Sequence, residues 1–435
     1  MSCCIAGCGP AGAMLGLLLA RAGVDVVVLE KHADFLRDFR GDTLHPSTLE
    51  LMDQLGLAEK VHALPHSKVS TATVRAGGEE AQVVDLTQLR TPFPYIMFVP
   101  QWDFLDLITA EARRYPHFRL VMEAEVEGLL EAGGRVMGVR YRGADGGHHE
   151  VRTELTVAAD GRDSTLRAAA GLRPRDNSAP LDVLWFRISR REDDPEGLSV
   201  RIGAGEFVVL LNRFTYWQVG YLILKGTQER VRAAGLEAFR RSLARLVPEV
   251  ADRVGELTDW DQVKTLSIRS NRLPRWYRPG LLCIGDAAHA MTPVAGVGIN
   301  LAIQDAVVAA NVLVEPLRYG RVSVHHLRSV QRRRAIPVRI VQAFQSAIQN
   351  RLQTPVLRAG TAQEGATQDR AAQEGATVRM PRALALAGRI PVLRRIPARL
   401  VGKGVWRVRL SRRLEALSTP LPDSPTASRD EGSAG

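Results

Sequence analysis

Three glycines near the N-terminus have a spacing that suits phosphate binding, in the segment Gly7-Cys8-Gly9-Pro10-Ala11-Gly12. Gly7 permits a tight turn, Gly9 lets the backbone approach a pyrophosphate, and Gly12 lets a helix pack closely against a strand. Pro10 suits the first helical turn, where no amide donor is needed, and the free amides at that helix start would face phosphate oxygens. The segment therefore predicts a dinucleotide site, but it does not distinguish NAD from FAD.

The elements around these glycines are those of a βαβ unit. Ser2–Ala6 has the composition of a buried strand, residues 10–22 that of a helix, and Val24–Leu29 that of a second apolar strand. Glu30 ends this strand, where a carboxylate can accept hydrogen bonds from a ribose diol, and Lys31 follows it. A right-handed crossover would place the glycine turn at the carboxyl edge of a parallel sheet.

A second glycine-rich segment follows a short apolar strand at Leu281–Ile284. It contains a Gly-Asp turn, then a proline and a glycine-rich bend, and it leads into a helix predicted over Gly298–Val314. With these motifs the chain resembles the aromatic-hydroxylase family of FAD-dependent monooxygenases, the class typified by para-hydroxybenzoate hydroxylase. The resemblance covers about residues 2–350 and implies that the dinucleotide is FAD.

The resemblance implies a role for each part of this second segment. Asp286 would hold hydroxyls of the ribityl chain, and the bend at 296–300 would present backbone amides to the flavin ring. A helix N-terminus near residue 299 would stabilise negative charge on reduced flavin. The implied FAD-binding residues here are Gly285, Asp286, Pro293, Gly296, Gly298, Ile299 and Asn300.

A third motif lies between these two, in the segment 158–164. Its Asp160-Gly161 pair resembles the family's Asp-Gly motif, which lies near the cofactor pyrophosphate and is linked to NAD(P)H use. Gly161 would make the turn, and Ser164 would cap a helix over 165–170. Taken alone, Asp-Gly is a common turn pair.

Two single residues complete the implied FAD site. Arg40 falls where the family places a flavin-contacting arginine, with Arg37 as the alternative, and Gln101 matches a glutamine that caps the cofactor chain. Arg40 and Gln101 could equally be surface polar residues. Cys8 is the one departure within a motif, because the family usually has Gly or Ala there, and it places a thiol near the pyrophosphate turn.

No residue can be assigned to catalysis from the sequence. His289 lies in the second motif, where a structural role is the better interpretation, and the remaining histidines have no acidic or cysteine partners at metal-ligand spacing. We therefore predict no metal site. The cysteines are predicted to be buried free thiols of an intracellular, cytoplasmic protein rather than a disulfide framework: Cys3, Cys4, Cys8 and Cys283.

The order of these segments predicts an α/β fold. We expect a Rossmann-like FAD-binding domain, discontinuous in sequence, with an inserted β-sheet substrate domain and a basic helical C-terminal appendage. The predicted FAD-binding domain comprises 1–75, 100–180 and 271–350, and the substrate domain comprises 76–99 and 181–270. We expect a linker with a short repeat over 351–378, the basic segment over 379–417, and a disordered tail over 418–435.

The resemblance implies an enzyme that consumes NADH or NADPH and hydroxylates an aromatic, phenolic, quinone or polyketide-type molecule with molecular oxygen, through a flavin hydroperoxide. A reductase of the geranylgeranyl-reductase type and a membrane-surface flavoprotein with little turnover remain alternatives. A flavin-dependent halogenase is disfavoured, because its Gly-Trp-x-Trp-x-Ile-Pro segment does not occur. Substrate contacts are expected among the aromatic residues Trp185, Phe186, Phe207, Phe214, Tyr216 and Trp217, about half of which would be core residues.

The formal charge of +11 has a local origin. Eleven basic residues and no acidic residue lie between Arg379 and Arg413, and without them the remaining 47 Lys and Arg equal the 47 Asp and Glu. The body therefore gives no reason to expect nucleic-acid binding. Short helices packed on the body are the favoured interpretation of 379–413, and peripheral contact with the inner face of the membrane is the alternative. The sequence does not address the oligomeric state.

Overall fold

The computed structural model of the 435-residue chain describes residues 1–36, 42–213, 215–364, 380–381, 384–386 and 391–417. Its helices are α1 (Pro10–Arg21), α2 (Pro46–Gln54), α3 (Ala58–His62), α4 (Gln101–Arg113), α5 (Thr165–Ala169), α6 (Gln228–Ala233), α7 (Leu236–Leu246), α8 (Gly298–Arg318), α9 (Val324–Ile348), α10 (Thr354–Glu364), α11 (Pro391–Gly402) and α12 (Arg412–Leu417). Its strands are β1 (Cys3–Ala6), β2 (Val26–Leu29), β3 (Thr43–Leu44), β4 (Ser67–Val69), β5 (Thr71–Ala76), β6 (Glu79–Asp85), β7 (Ile96–Phe98), β8 (Phe118–Val121), β9 (Glu125–Ala132), β10 (Arg135–Arg142), β11 (His148–Arg152), β12 (Leu155–Ala158), β13 (Arg175–Asp176), β14 (Leu181–Ser189), β15 (Leu198–Gly203), β16 (Glu206–Asn212), β17 (Tyr216–Leu224), β18 (Lys264–Ser267), β19 (Asn271–Arg272), β20 (Tyr277–Arg278) and β21 (Leu281–Cys283).

A six-stranded sheet in the order β20-β21-β12-β1-β2-β8 forms the core of the nucleotide-binding part. All neighbouring pairs are parallel except β20 with β21. Strands β1, β2, β12 and β21 are buried along their whole length, as expected for a parallel sheet covered on both faces. Helix α1 packs against β2, α4 and α8, and the β9–β11 meander packs beside β12. The predicted βαβ unit and α/β class are confirmed.

A seven-stranded sheet, in the order β18-β14-β17-β16-β15-β5-β6, is built from two distant parts of the chain. Strand β5 pairs in parallel with β15, which joins the hairpin at 71–85 to the strands of the middle segment. Strand β7 lies instead in a three-stranded sheet with β3 and β4. The division into an FAD-binding domain and a substrate domain, with its boundaries, stays a prediction.

The two faces of the seven-stranded sheet pack against different helices. On one face Phe186 and Trp217 pack with Phe239 of α7. On the other face Trp185 and Phe207 pack with residues of α10 and of the turn before it. Adjacent residues on a strand point to opposite faces, which explains this division.

One helical stretch of the described residues, 294–318, is long and apolar enough to cross a membrane by length and composition. It includes the helix predicted over Gly298–Val314. In its most apolar 18-residue window, 83% of the residues are buried inside the protein. This stretch contains α8, whose contacts with α1, α2 and α9 are those of a central core helix.

Two helix boundaries have clear local causes, and the predicted linker is partly helical. Helix α2 begins only at Pro46, because Thr43 and Leu44 pair with β7. Gly235, which has a φ of +89°, separates α6 from α7. In the predicted linker, residues 351–364 are helical, and 365–378 lie outside the described residues, as does most of the repeat. The tail 418–435 also lies outside them.

The basic C-terminal segment packs on the body. Helix α11 lies against β6 and the single turn at Leu86–Gln88. Ala398, Leu410 and Leu414 are buried, so the described residues 391–417 are anchored by apolar contacts. Pro397 lies inside the 12-residue α11.

Candidate functional site

The first glycine motif lies at the carboxyl ends of the parallel strands. Gly7 follows β1 with a φ of +93°, and a Cβ there would lie 2.5 Å from the Ala159 carbonyl oxygen. A Cβ at Gly12 would lie 1.9 Å from the Gly7 carbonyl oxygen. At Gly9, by contrast, a Cβ would meet no atom of the described residues within 4 Å. Gly7 and Gly12 are therefore required by the protein's own packing, whereas the backbone of Gly9 borders open space at the start of α1.

Glu30 directly follows β2 beside this turn. Its side chain is buried, and Oε2 accepts a hydrogen bond of 2.9 Å from the Cys8 amide. The neighbouring Lys31 is exposed. Cys8 is itself fully buried, and burial raises the pKa of its thiol. The thiol near the pyrophosphate turn is thus held in its unreactive, protonated form.

The Asp160-Gly161 motif follows β12, next to the glycine turn. Asp160 accepts hydrogen bonds from the Ser164 hydroxyl and, at 3.0 Å, from the Leu166 amide. Burial nevertheless raises the pKa of the Asp160 carboxyl. Ser164 caps α5 as predicted, by accepting from the Arg167 amide at 3.0 Å. Gly161 has a φ of +84°, and the part of the chain that the structure describes leaves the space at its Cβ position open to 4 Å.

The Gly285-Asp286 turn follows β21 and reaches the same edge of the sheet. A Cβ at Gly285 would lie 3.1 Å from the Ala11 Cβ, so this turn packs directly on the start of α1. The Asp286 carboxylate, about one-third exposed, pairs with Arg162 Nε at 3.1 Å. Arg162 belongs to the Asp-Gly segment, and this pair connects two of the three motifs. Arg162 was not among the residues predicted from the sequence.

The bend that precedes α8 is held by hydrogen bonds to β3. Ala295 and Gly296 both have φ values near +60°, and a Cβ at Gly296 would lie 2.6 Å from Thr43 Oγ1. The Asn300 side chain donates to the carbonyls of Thr43 and Gly296 and accepts from the His45 amide and the Thr48 hydroxyl. These partners use the whole Asn300 amide, so this side chain shapes the bend. The predicted contact of residue 300 with flavin would then come from its backbone.

The remaining predicted residues of the bend have different surroundings. Ile299 is buried, Pro293 is partly buried, and Gly298 is the first residue of α8. The amides at this helix N-terminus follow directly on the bend, which is where the resemblance places the flavin ring. Helix dipoles favour negative charge at such a position.

His289 belongs to a buried ionic cluster beneath the Gly-Asp turn. Its Nε2 lies 2.6 Å from Asp305 Oδ2, and Arg334 Nε lies 2.7 Å from Asp305 Oδ1. His289 and Arg334 hold the pKa of Asp305 below its usual value in spite of burial. Asp305 also accepts the Gly285 amide at 3.0 Å. The cluster therefore fixes the turn through its backbone, which agrees with a structural role for His289.

Gln101 is the first residue of α4, and its backbone N–H donates to Asp42 Oδ1 at 3.3 Å. Asp42 also forms an ion pair with Arg213 of the β16–β17 turn, and the Arg213 guanidinium lies over the Phe98 ring at 5.3 Å. This connection between the three-stranded sheet and the seven-stranded sheet was not predicted from the sequence. Arg37 and Arg40 lie outside the described residues.

The middle aromatic residues are divided between the two faces of the seven-stranded sheet. Phe186 and Trp217 are core residues on the α7 side, whereas Trp185 and Phe207 belong to the opposite face. Tyr216 stacks with Arg187, whose guanidinium lies 4.7 Å from the ring centre. Phe214 lies outside the described residues. Trp185 and Phe207 are thus the candidates on the face turned away from α7.

The residues present fit a flavin dinucleotide. Three segments from distant parts of the chain meet at one edge of the parallel sheet, and the open positions at Gly9 and Gly161 are on two of these segments. The residues that the structure describes contain no group of three His, Cys, Asp or Glu side chains that could hold a metal ion.

Comparison with known proteins agrees with this geometry. A family model described as "FAD binding domain" matches residues 1–344. The chain therefore belongs to this family of FAD-binding proteins. The 6-methylpretetramide 4-monooxygenase of Streptomyces rimosus is 34% identical over 338 residues, which cover 76% of this chain and 79% of the relative.

A second relative is the 12-dehydrotetracycline 5-monooxygenase/anhydrotetracycline 6-monooxygenase of Streptomyces rimosus. It is 28% identical over 328 residues, and the match spans 70% of this chain but only 60% of the relative. The two relatives and the family model together define the class: the chain is an FAD-dependent oxidoreductase of the monooxygenase type.

Solved structures show the same fold. PqsL of Pseudomonas aeruginosa, in complex with 2-aminobenzoylacetate, has a TM-score of 0.72 and 23% identity, covering 83% of this chain and 99% of that chain. The anhydrotetracycline hydroxylase OxyS of Streptomyces rimosus has a TM-score of 0.68 and 23% identity, covering 92% of this chain and 75% of that chain.

Proposed function

We propose that the protein hydroxylates a phenolic or quinone ring of a fused-ring, polyketide-type molecule, with NADH or NADPH as electron donor and molecular oxygen as the second substrate. The observation that carries this proposal is the convergence of the three motif segments beside the bend at 291–300. Ala295 of this bend packs against the same apolar cluster as Leu198 and Leu211 of the seven-stranded sheet. The relatives named for 6-methylpretetramide and anhydrotetracycline support a fused-ring substrate.

In this proposal the chain's own residues bind and orient the cofactor. The Gly9 backbone and the first amides of α1 bind the pyrophosphate, Glu30 accepts the ribose hydroxyls, and Asp286 accepts the ribityl hydroxyls. The bound FAD supplies the hydride acceptance and oxygen activation that hydroxylation needs. The amides at the N-terminus of α8 stabilise negative charge on the reduced ring.

The apolar face of the seven-stranded sheet keeps water from the reaction. Trp185 and Phe207 pack with Leu357 and Met380 on this face. Val294 and Thr292, in the bend, are tied by their carbonyls to Gln345 at the end of α9. Substrate bound between the bend and this face would be shielded from solvent, which protects a reactive oxygen species from water.

The activity test uses the full chain loaded with FAD. We expect anhydrotetracycline or a related phenol to accelerate NADH or NADPH oxidation and to yield a product carrying one oxygen atom from isotopically labelled oxygen gas. A product with a reduced double bond and no labelled oxygen would indicate a reductase instead. A Gly9→Val variant, in which a side chain occupies the pyrophosphate approach, is the matched control that is expected to retain less flavin and to be correspondingly less active.

For location, we propose that the segment 379–413 contacts the inner, anionic face of a membrane in addition to packing on the body. Ile396 and Trp406 are 66% and 46% exposed within this basic segment. The full chain would then co-sediment with vesicles containing phosphatidylserine, and the double variant Ile396→Asn/Trp406→Asn would bind less. The proposal would be contradicted if the amount of each protein in the pellet were the same with vesicles as without them.

A further inference from the structure

A row of glutamines continues from the end of α9 into the turn that follows. Gln345, Gln349 and Gln353 are spaced four residues apart, so they lie on one side of the helix. The last two begin and end a π-helical turn, Gln349–Gln353, and Thr354 starts α10. All four side chains are at most 6% exposed. π-helical turns are rare in proteins, and those that occur are often found at functional sites.

The polar atoms at the far end of this row have no hydrogen-bond partner among the described residues. They are both amide atoms of Gln349, Oε1 of Gln353 and Oγ1 of Thr354. A buried polar group without a partner costs free energy, and native proteins contain few of them. Gln342, one turn earlier on α9, shows the ordinary arrangement, because its amide bonds to Asn271, Ala290 and Arg272.

The row begins at the flavin-side bend. Gln345 Nε2 donates to the carbonyls of Thr292 at 3.0 Å and Val294 at 2.8 Å. Thr292 itself has a buried hydroxyl that lacks a partner within the described ranges. The first member of the row is therefore fixed against the segment that the proposed function places at the flavin ring.

The other end of the row is next to the second sheet. Leu352, Val356 and Leu357 come from the same turn and from α10, and they belong to the apolar cluster that contains Trp185 and Phe207. The Trp185 ring packs on Gly220, where a Cβ would lie 2.9 Å from the ring. Trp185 Nε1 is a further buried donor with no partner in the described part of the chain. Buried polar atoms without a partner among the described residues therefore occur at the bend, along the π-helical turn and on the apolar face.

We propose that Gln349, Gln353, Thr354 and the Trp185 indole N–H form the oxygen-recognising side of the substrate pocket. This inference rests on the proposed function and specifies its substrate class: a neutral fused-ring molecule carrying several hydroxyl and carbonyl oxygens. A glutamine amide can accept from a phenol and donate to a carbonyl, and the indole N–H can only donate. None of the four groups is charged, so they do not select a carboxylate.

The test compares two probes, 2,6-dihydroxyanthraquinone and unsubstituted anthraquinone, which share a ring system and differ by two hydroxyls. Their affinities for the FAD-loaded full chain are measured by equilibrium dialysis. We expect the wild type to prefer the dihydroxy probe, and Gln349→Leu and Gln353→Leu each to reduce this preference about fivefold or more. Gln342→Leu is the matched control, and its preference should remain within twofold of the wild type.

Thermal denaturation without probe gives a second, independent measurement. Gln349→Leu replaces unpaired polar atoms by an apolar side chain, so it should melt at the same temperature as the wild type or higher. Gln342→Leu leaves two carbonyls and Arg272 without their partner, so it should melt lower.

Three outcomes would overturn the inference: no binding of either probe by the wild type, an unchanged preference in both glutamine variants, or loss of stability in Gln349→Leu equal to that in Gln342→Leu. Failure of the proposed function would look different. In that case the protein would not couple NADH or NADPH oxidation to oxygen insertion, whatever its preference between the probes.

Discussion

At the scale of single residues, Gly9 is a position where a substitution should weaken cofactor binding without disturbing folding. Its backbone is extended, with φ −71° and ψ −174°, so valine can adopt the same conformation, and a side chain there would meet no described atom within 4 Å. We expect Gly9→Val to fold normally and to retain FAD at least about tenfold less well, because the side chain fills the space beside the α1 amides. Flavin absorbance per protein after gel filtration measures this retention.

The control for this prediction is Gly12→Ala. Its Cβ would lie 1.9 Å from a backbone oxygen, so the glycine turn would have to move and the FAD-free protein should melt at a lower temperature. If Gly9→Val kept its flavin as firmly as the wild type does, the pyrophosphate would not approach α1 at this residue.

The sequence predicts those parts of the site whose residues are close together in the chain. Gly7, Gly9 and Gly12 are close in sequence, so their spacing alone indicates a turn and a helix start. The ion pair of Arg162 with Asp286 joins residues 124 positions apart, and the Asn300 amide bonds to residues more than 250 positions away. No local pattern contains such contacts, so the sequence predicted Asn300 as a ligand residue but not its hydrogen bonds to β3 and α2.

At the scale of elements, α8 and α9 are joined by the buried cluster of His289, Asp305 and Arg334. Removing one partner of a buried ion pair leaves the other charge without compensation, which destabilises a protein by about 3–5 kcal/mol. We therefore expect Arg334→Met to lower the free energy of unfolding by about 3 kcal/mol or more, as measured by urea denaturation. Arg333→Met, at an exposed position of the same helix, should stay within about 0.5 kcal/mol of the wild type.

A second link between elements, from β3 to α11, should make stability depend on pH. His45 is fully buried, its Nδ1 donates to the Val401 carbonyl at 2.8 Å, and burial lowers its pKa from 6.5 to about 4. Between pH 6.5 and about 4, His45 binds a proton in the unfolded chain but stays neutral in the folded chain. This contribution to stability is therefore lost as the pH falls from 6.5 towards 4, by up to about 3 kcal/mol.

Urea denaturation at several pH values between 7.5 and 4.5 measures this loss. His45→Gln can still donate to Val401 but does not titrate, so its stability should fall less steeply than that of the wild type. His148→Gln, at an exposed position on β11, should behave as the wild type does. Equal slopes in His45→Gln and the wild type would show that other groups cause the dependence.

At the scale of the whole molecule, the sequence predicts the class of fold better than the connections between its parts. Apolar strands and glycine turns indicate the parallel sheet, because strand and turn preferences are local. The parallel pairing of β5 with β15 joins segments more than 120 residues apart, and no pattern in either segment specifies it. Likewise, the excess of basic residues in the C-terminal segment gave no sign that Arg407 pairs with Glu50 and Arg413 with Glu315.

These contacts imply that the body depends on its C-terminal segment. Ala398, Val401, Leu410 and Leu414 are all at least 92% buried, and Val401 holds His45, the residue that precedes α2. Burial of an aliphatic side chain contributes about 1.5–3 kcal/mol, so a chain ending at residue 390 should melt at least about 5 °C lower.

Thr43, two residues before His45, holds the bend at Gly296, so this shortened chain should also release FAD faster. A chain ending at residue 417 keeps every described contact and should match the full chain in both measurements, melting by calorimetry and flavin release by fluorescence. If the chain ending at residue 390 also matched the full chain in melting temperature and in flavin release, the C-terminal segment would contact the body without stabilising it.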